Sequence, residues 1–108
     1  MTYTLDFYSE SVQSEIFDWP DGIQASFTSI AEQMQEYGPN LGMPYTRAMK
    51  EGLFEIPTKG REGIGRGFFC TLVGKRIVIL HGFIKKTEQT PARELRTARQ
   101  QLTEEQNG

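Results

Sequence analysis

Two runs rich in Phe, Ile, Val and Leu flank Gly74-Lys75, residues 65–73 before it and 76–86 after it. Such runs around a short glycine-containing turn predict an antiparallel hairpin, and no other feature of the chain fixes so many positions at once. With Gly74-Lys75 as a two-residue loop and Val73 opposite Arg76, Arg66 faces Phe83, Phe68 faces His81 and Ile64 faces Lys85. Strand side chains alternate, so one face then carries Arg66, Phe68, Cys70, Leu72, Ile77, Ile79, His81, Phe83 and Lys85. The other carries Gly65, Gly67, Phe69, Thr71, Val78, Leu80, Gly82, Ile84 and Lys86. The first face is apolar near the turn and cationic away from it. On the second, Gly65, Gly67 and Gly82 form a flat patch on which a helix can sit close.

The remaining elements arrange themselves around this hairpin. Residues 3–8 alternate and are rich in β-formers, which predicts a short strand. Ser11 is placed to cap a short helix bearing Val12, Ile16 and Trp19, and Pro20-Asp21-Gly22 reads as the turn that ends it. A longer helix follows, with Ile23, Phe27, Ile30, Ala31 and Met34 at helical spacing and Gly38-Pro39 as its stop. Residues 38–52 read as loop with a short turn at 45–49. Leu53–Lys59 reads as a strand that Pro57 confines to an edge or breaks, and residues 59–63 are turn-like. Thr90 as cap with Pro91 at the first helical position starts a last helix, running to about Leu102 with a thin stripe of Leu95, Ala98 and Leu102. The order is β-α-α-β-β-β-α. This is an α+β fold, an antiparallel sheet packed by helices, in one domain over residues 1–108.

Composition excludes several classes. The chain is 37% hydrophobic and has seven Phe, four Tyr and one Trp in 108 residues, so it has the aromatics that a disordered chain lacks. Its longest uninterrupted apolar stretch is Ile77–Leu80, against the roughly 20 residues that a spanning helix needs. The first residues carry Asp6 and Glu10 without Lys or Arg, unlike a secretory signal. A lone Cys70 permits neither an intrachain disulfide nor a cysteine-based zinc site, and a reducing, cytoplasmic setting is expected. The net charge of −2 conceals a segregation: residues 1–46 hold seven acids and no Lys or Arg, while residues 47–99 hold all twelve cations and five acids. Two solvated, mutually attracting surfaces would explain this, and so would a polyanionic partner for the second half.

The cationic end of the hairpin gathers Arg66, His81 and Lys85, with Lys86 just across the strand and Lys59 and Arg61 in the preceding turn. Phe68 and Phe83 lie among them. Cations interleaved with aromatics suit single-stranded nucleic acid, whose phosphates meet charge and whose bases stack on rings. The same groups suit metal-free cleavage of RNA. Attack by a ribose 2′-hydroxyl on its own phosphate needs a proton acceptor, stabilisation of the charged phosphorane and a proton donor to the 5′ oxygen. Arg forks onto phosphate oxygens, a Lys crowded by cations exchanges protons more readily, and imidazole titrates near neutrality. Each residue has an ordinary reading too. Arg66 serves equally as a surface cation, His81 as a satisfied core histidine, and Lys85 and Lys86 as a solvated strand end. Arg93, Arg96 and Arg99 read as solvated or paired with Glu94 and Glu88, and Cys70 as a small core hydrophobe. No Walker, dinucleotide or metal-ligand spacing is present, and no cofactor is expected.

The run Leu80-His81-Gly82-Phe83-Ile84-Lys85-Lys86-Thr87-Glu88-Gln89-Thr90-Pro91-Ala92-Arg93-Glu94 closely resembles the hallmark of the phage-derived killer-protein branch of the RelE/HigB toxin superfamily. Leu41-Gly42-Met43-Pro44, Gly52-Leu53-Phe54-Glu55-Ile56 and Gly63-Ile64-Gly65-Arg66 match its middle sections, and the resemblance spans about residues 3–103. It implies a RelE-like fold and a type II toxin, an endoribonuclease that cuts mRNA on the ribosome. It also implies neutralisation by a cognate antitoxin carrying a helix-turn-helix domain. Carried over, Arg66 is the phosphate or transition-state contact, and Lys85 and Lys86 are candidates for phosphate binding and acid–base work. Lys59 and Arg61 match the basic loop less closely. Two positions depart from the pattern: Pro57 stands where many relatives have a basic residue, and Gly67 where a bulky apolar one is frequent. The last helix also lacks the Tyr or His with which related toxins often complete the site, which passes proton transfer to Lys85 or His81. The alternative these departures imply is a non-catalytic RNA-binding or antitoxin-binding module with an eroded site.

Overall fold

The computed structural model describes residues 2–86 and 90–108. Its elements are β1 (Thr4–Phe7), α1 (Glu10–Phe17), α2 (Asp21–Tyr37), β2 (Arg47–Ala48), β3 (Phe54–Gly60), β4 (Gly63–Leu72), β5 (Arg76–Lys85) and α3 (Ala92–Asn107). The sheet runs β1-β5-β4-β3-β2. The late strands are antiparallel, as short turns require, while β1 pairs parallel to β5 after the α1–α2 crossover. The two-residue β2 extends the expected order. It pairs only with Phe54 and Glu55, so Pro57 sits on a free edge, where its missing N–H costs no ladder bond.

The helices divide between the faces of the sheet. On one side α1 and α2 bury Ile16, Ile23, Phe27 and Met34 against Ile56, Phe69, Ile77 and Ile79. All five positions of the α2 stripe are buried, and all seven acids of residues 1–46 are exposed. The glycine patch is where these helices approach. A Cβ on Gly65 would lie 2.9 Å from Ile23 Cγ2, and one on Gly82 would lie 3.0 Å from Ile16 Cδ1. On the other side α3 lays Ala98 and Leu102 on Leu53, Phe68, Cys70, Val78 and Leu80. So thin a stripe is supplemented by polar ties: Arg99 donates to the Met49 carbonyl at 2.9 Å, Gln101 to the Leu80 carbonyl, and Tyr8 to Glu104.

Several local expectations are corrected. Ser9, not Ser11, caps α1, its hydroxyl accepting from Val12 N–H at 3.2 Å. Asp21 and Gly22 already belong to α2, where an acid in the first turn suits the helix dipole. Pro91, not Thr90, occupies the α3 cap, and α3 continues to Asn107. Glu88, expected to pair with the α3 arginines, lies outside the described residues.

The hairpin itself differs in an instructive way. Leu72, not Val73, pairs with Arg76, and Val73-Gly74-Lys75 forms the connection, with Gly74 and Lys75 at φ 88° and 57°. The pairing then shifts by one residue, because Phe69 meets Ile79 while Phe68 meets His81 and Leu80 is left as a bulge. Between turn and bulge the faces of β5 are therefore inverted, while Phe69, Cys70 and Leu72 of β4 keep theirs. Ile77 and Ile79 point to α1 and α2, and Val78 points to α3. Beyond the bulge the expected register returns in full: Phe68–His81, Arg66–Phe83 and Ile64–Lys85.

Candidate functional site

The recovered register sets the geometry of the cationic end. Gly65 and Gly82 face Ile23, Trp19 and Ile16, so their strand neighbours Arg66 and Phe83 face the opposite, α3-bearing side. Lys85 lies two residues beyond Phe83 on that same side, across from Ile64. Lys59 pairs with Ile64 from the other flank. Arg66, Lys85 and Lys59 thus share one face of three adjacent strands. Among the described residues no carboxylate lies within 4 Å of Lys59 or Lys85.

Arg66 is held from behind. Glu55, only 3% exposed, places Oε2 3.7 Å from Arg66 Nε and Oε1 3.6 Å from an Arg47 terminal nitrogen. Oε2 has no hydrogen-bond partner at normal length. A carboxylate this buried is tolerable only when paired, and two guanidinium groups share the task. The pairing follows from strand order, since Glu55 lies opposite Phe68, diagonal to Arg66.

His81 lies on this face too, but its Nε2 is 2.7 Å from Glu94 Oε1, and Arg93 flanks the same carboxylate at 3.5 Å. This contact ties the start of α3 to β5. Phe83, expected to stack on bases, is only 8% exposed. Its ring lies beside those of the paired Phe68 and His81, with each centroid 6.2 Å away, so Phe83 forms the floor of the site and presents no open platform. Lys86 follows the last residue of β5 and is exposed. Arg61 sits at the exposed tip of the β3–β4 turn. Its neighbour Glu62 accepts from Gly22 N–H at 3.0 Å at the start of α2, and backbone donors there hold the Glu62 carboxyl below its ordinary value. That bond fixes the turn carrying Lys59 and Arg61 to the helix layer.

Cys70 is a core residue at 1% exposure, and burial pushes its thiol up to about 11, which removes it as a nucleophile. Among the described residues no group of three His, Cys, Asp or Glu side chains is placed to hold a metal ion. No described helix is long and apolar enough to cross a membrane.

Sequence reasoning passed over Glu55 and Arg47 as site residues, and it paired Glu94 with the α3 arginines, of which Arg93 does reach it, but not with His81. Glu55 was within reach. Reading Arg61-Glu62 as a two-residue hairpin loop places it diagonal to Arg66. The contact of Glu94 with His81 depends on how α3 lies across the sheet and carries no local signal.

A sequence profile described as phage derived protein Gp49-like (DUF891) matches residues 14–103. The chain belongs to the Gp49-like family, a family of RelE/HigB-type toxins. Among curated proteins no significant match is found. Among solved structures, a chain of the archaeal RelE–RelB complex from Pyrococcus horikoshii OT3 superposes with a TM-score of 0.58 at 19% identity. The match covers 80% of this chain and 98% of that one. This Gp49-like protein therefore has the RelE fold, an α+β arrangement with, among the described residues, a five-stranded mixed sheet and three helices.

Proposed function

We propose that this Gp49-like protein is the toxin of a type II toxin–antitoxin pair and a metal-independent endoribonuclease that cleaves mRNA on the translating ribosome. A cognate antitoxin with a helix-turn-helix domain restrains it. The observation that carries the reading is that Arg66, Lys85 and Lys59 share one face of β3, β4 and β5. On that face a phosphate meets a guanidinium already oriented by Glu55, with a lysine on either flank.

Chemistry follows from these positions. Arg66 binds the scissile phosphate and stabilises the phosphorane as the 2′-hydroxyl attacks and gives up its proton to solvent. Lys85 delivers a proton to the departing 5′ oxygen, leaving a 2′,3′-cyclic phosphate and a 5′-hydroxyl end. Lys59, Arg61 and Lys86 hold flanking phosphates. His81 contributes through its contact with Glu94, keeping α3 against the site.

A second reading, a binding module with an eroded site, is favoured by one specific feature. Pro57 stands directly across from Arg66, so β3 supplies no cation in that row. Induction of the parent and of Lys85→Ala in cells, followed by primer extension on translated messages, separates the two. The nuclease reading requires growth arrest and new 5′-hydroxyl ends with the parent that persist in EDTA-treated extracts, and neither with the variant. Salt-dependent RNA association without scission supports the binding module. Equal toxicity of parent and variant removes Lys85 from the site.

A further inference from the structure

A groove of about 440 Å³ opens beside Arg66, between α2, the Met43–Tyr45 segment and the free edge of β3. Its position is unusual because Arg66 and Lys59 form part of its wall, so it begins where the cationic face ends. Most of the wall is apolar, from Ile30, Met43, Pro44, Pro57 and Ile64, and α2 adds the side chains of Ser29 and Gln33. Such a wall with a few convergent polar groups is typical of small-ligand sites of roughly 300–1,000 Å³.

Its outer lip is exposed and yet held. Met43 and Tyr45 are 64% and 44% exposed. The segment carrying them is clipped by the buried Thr46, whose hydroxyl donates to the Pro39 carbonyl and accepts from Gly42 N–H, each at 3.0 Å. On the inner side, Lys59 N–H donates to Ser26 Oγ at 3.3 Å, fastening α2 to β3 across the groove floor. A half-exposed aromatic ring on a clipped segment, lining the same groove as Arg66, is preorganised for a flat partner.

We propose that this groove is a nucleobase subsite, receiving the base of a nucleotide adjoining the phosphate held at Arg66. The inference rests on the reading of the cationic face as RNA-binding and deepens it. The base lies between the Tyr45 ring and the apolar wall of Ile30, Pro57 and Ile64, and its polar edge meets Gln33 and Ser29. Unpaired RNA bases are recognised in this way, by stacking on a ring and hydrogen bonding at the edge. A protein segment would use the apolar wall equally well, but it would need an acidic side chain placed at Arg66 and Lys59, where a nucleotide carries its phosphate beside its base.

The test uses the full chain and short 2′-O-methyl oligoribonucleotides, which cannot be cleaved, in an intact set and in sets lacking one base at each position. For the parent, one abasic position weakens binding about tenfold or more. Tyr45→Ala weakens binding of the intact oligonucleotide by a similar factor and makes it indifferent to that abasic position. Gln33→Ala leaves the stacking but levels the preference among the four bases at that position. If the abasic penalty is the same in the parent and in Tyr45→Ala, the subsite is wrong. If Tyr45→Ala binds every oligonucleotide like the parent but loses only antitoxin binding, the groove is a protein-docking site and the proposal is overturned. Failure of the underlying reading looks different: Glu55→Gln/Arg66→Gln then binds the intact oligonucleotide as tightly as the parent, or the parent binds none.

Discussion

On the α1–α2 side of the sheet, β4 and β5 carry Gly65, Gly67 and Gly82, and helices are packed down to about 3 Å from where a Cβ would stand. On the α3 side the same stretches carry Arg66, Phe83 and Lys85, and the acids that approach them do so at set points: Glu55 at Arg66 and Glu94 at His81. One face spends its surface on burial, the other keeps charge available. The contrast teaches that a ten-residue strand can serve both purposes at once only while its alternation is kept in phase. Here the bulge at Leu80 supplies that phase, by reversing the shift that the Val73-Gly74-Lys75 turn introduces.

The comparison can be broken in order of effect. Arg66→Ala is expected to cost about 3 kcal/mol, the low end for severing a buried pair because Arg47 still faces Glu55. Adding Glu55→Gln should recover most of that stability without restoring the proposed RNA cleavage. Chemical denaturation of the single and double variants reads this directly, and additive losses would show that Glu55 does not depend on Arg66.

Next, Cys70 links stability to pH. Its folded value of about 11 lies above the ordinary 9.0. The protonated thiol is therefore favoured by folding, and its contribution is complete below pH 9 and lost as pH rises towards 11. At full ionisation the loss is about 2–3 kcal/mol. Cys70→Ala is smaller and will be less stable throughout, but its stability should fall less steeply between pH 9 and 11 than the parent's. An identical slope would refute the assignment.

Gly60→Ala probes the packed face where backbone closes it, since a Cβ there would meet backbone atoms of Gly22 and Ile23 at 2.6 Å. Backbone yields less than a side chain, so a loss of about 1–3 kcal/mol is expected in a thermal melt. A neutral result would mean that α2 can move off the β3–β4 turn. Smallest in stability is Lys85→Ala, expected within about 0.5 kcal/mol of the parent because the lysine is partly exposed and unpaired among the described residues. The same variant carries the loss of toxicity. A large destabilisation there would make Lys85 structural and remove the contrast between the faces.

Much of the fold was legible. The α2 stripe, the glycine patch and the antiparallel late strands rest on periodicity and on glycine's missing Cβ, which are local properties of the chain. The site was legible in part. Arg66 and Lys85 share a face because both lie beyond the bulge, where the simple hairpin register holds. Near the turn the same register fails for Ile77, Val78 and Ile79, since a two-residue and a three-residue connection around Gly74 leave similar traces in sequence. Phe83 also shows the limit: its type suggested stacking on a base, and packing gave it to the core beside Phe68 and His81.

The sequence by itself determined the order and type of the main strands and helices, which stripe of α2 is buried, and that the cations gather in the second half of the chain. Periodicity and composition suffice for those properties. Tertiary structure decided where the bulge falls, that Glu55 stands behind Arg66, that Glu94 takes His81, and that a groove opens beside the cationic face. Each of these depends on residues far apart in the chain meeting at a distance of a few ångströms, and that meeting is set by how whole layers pack.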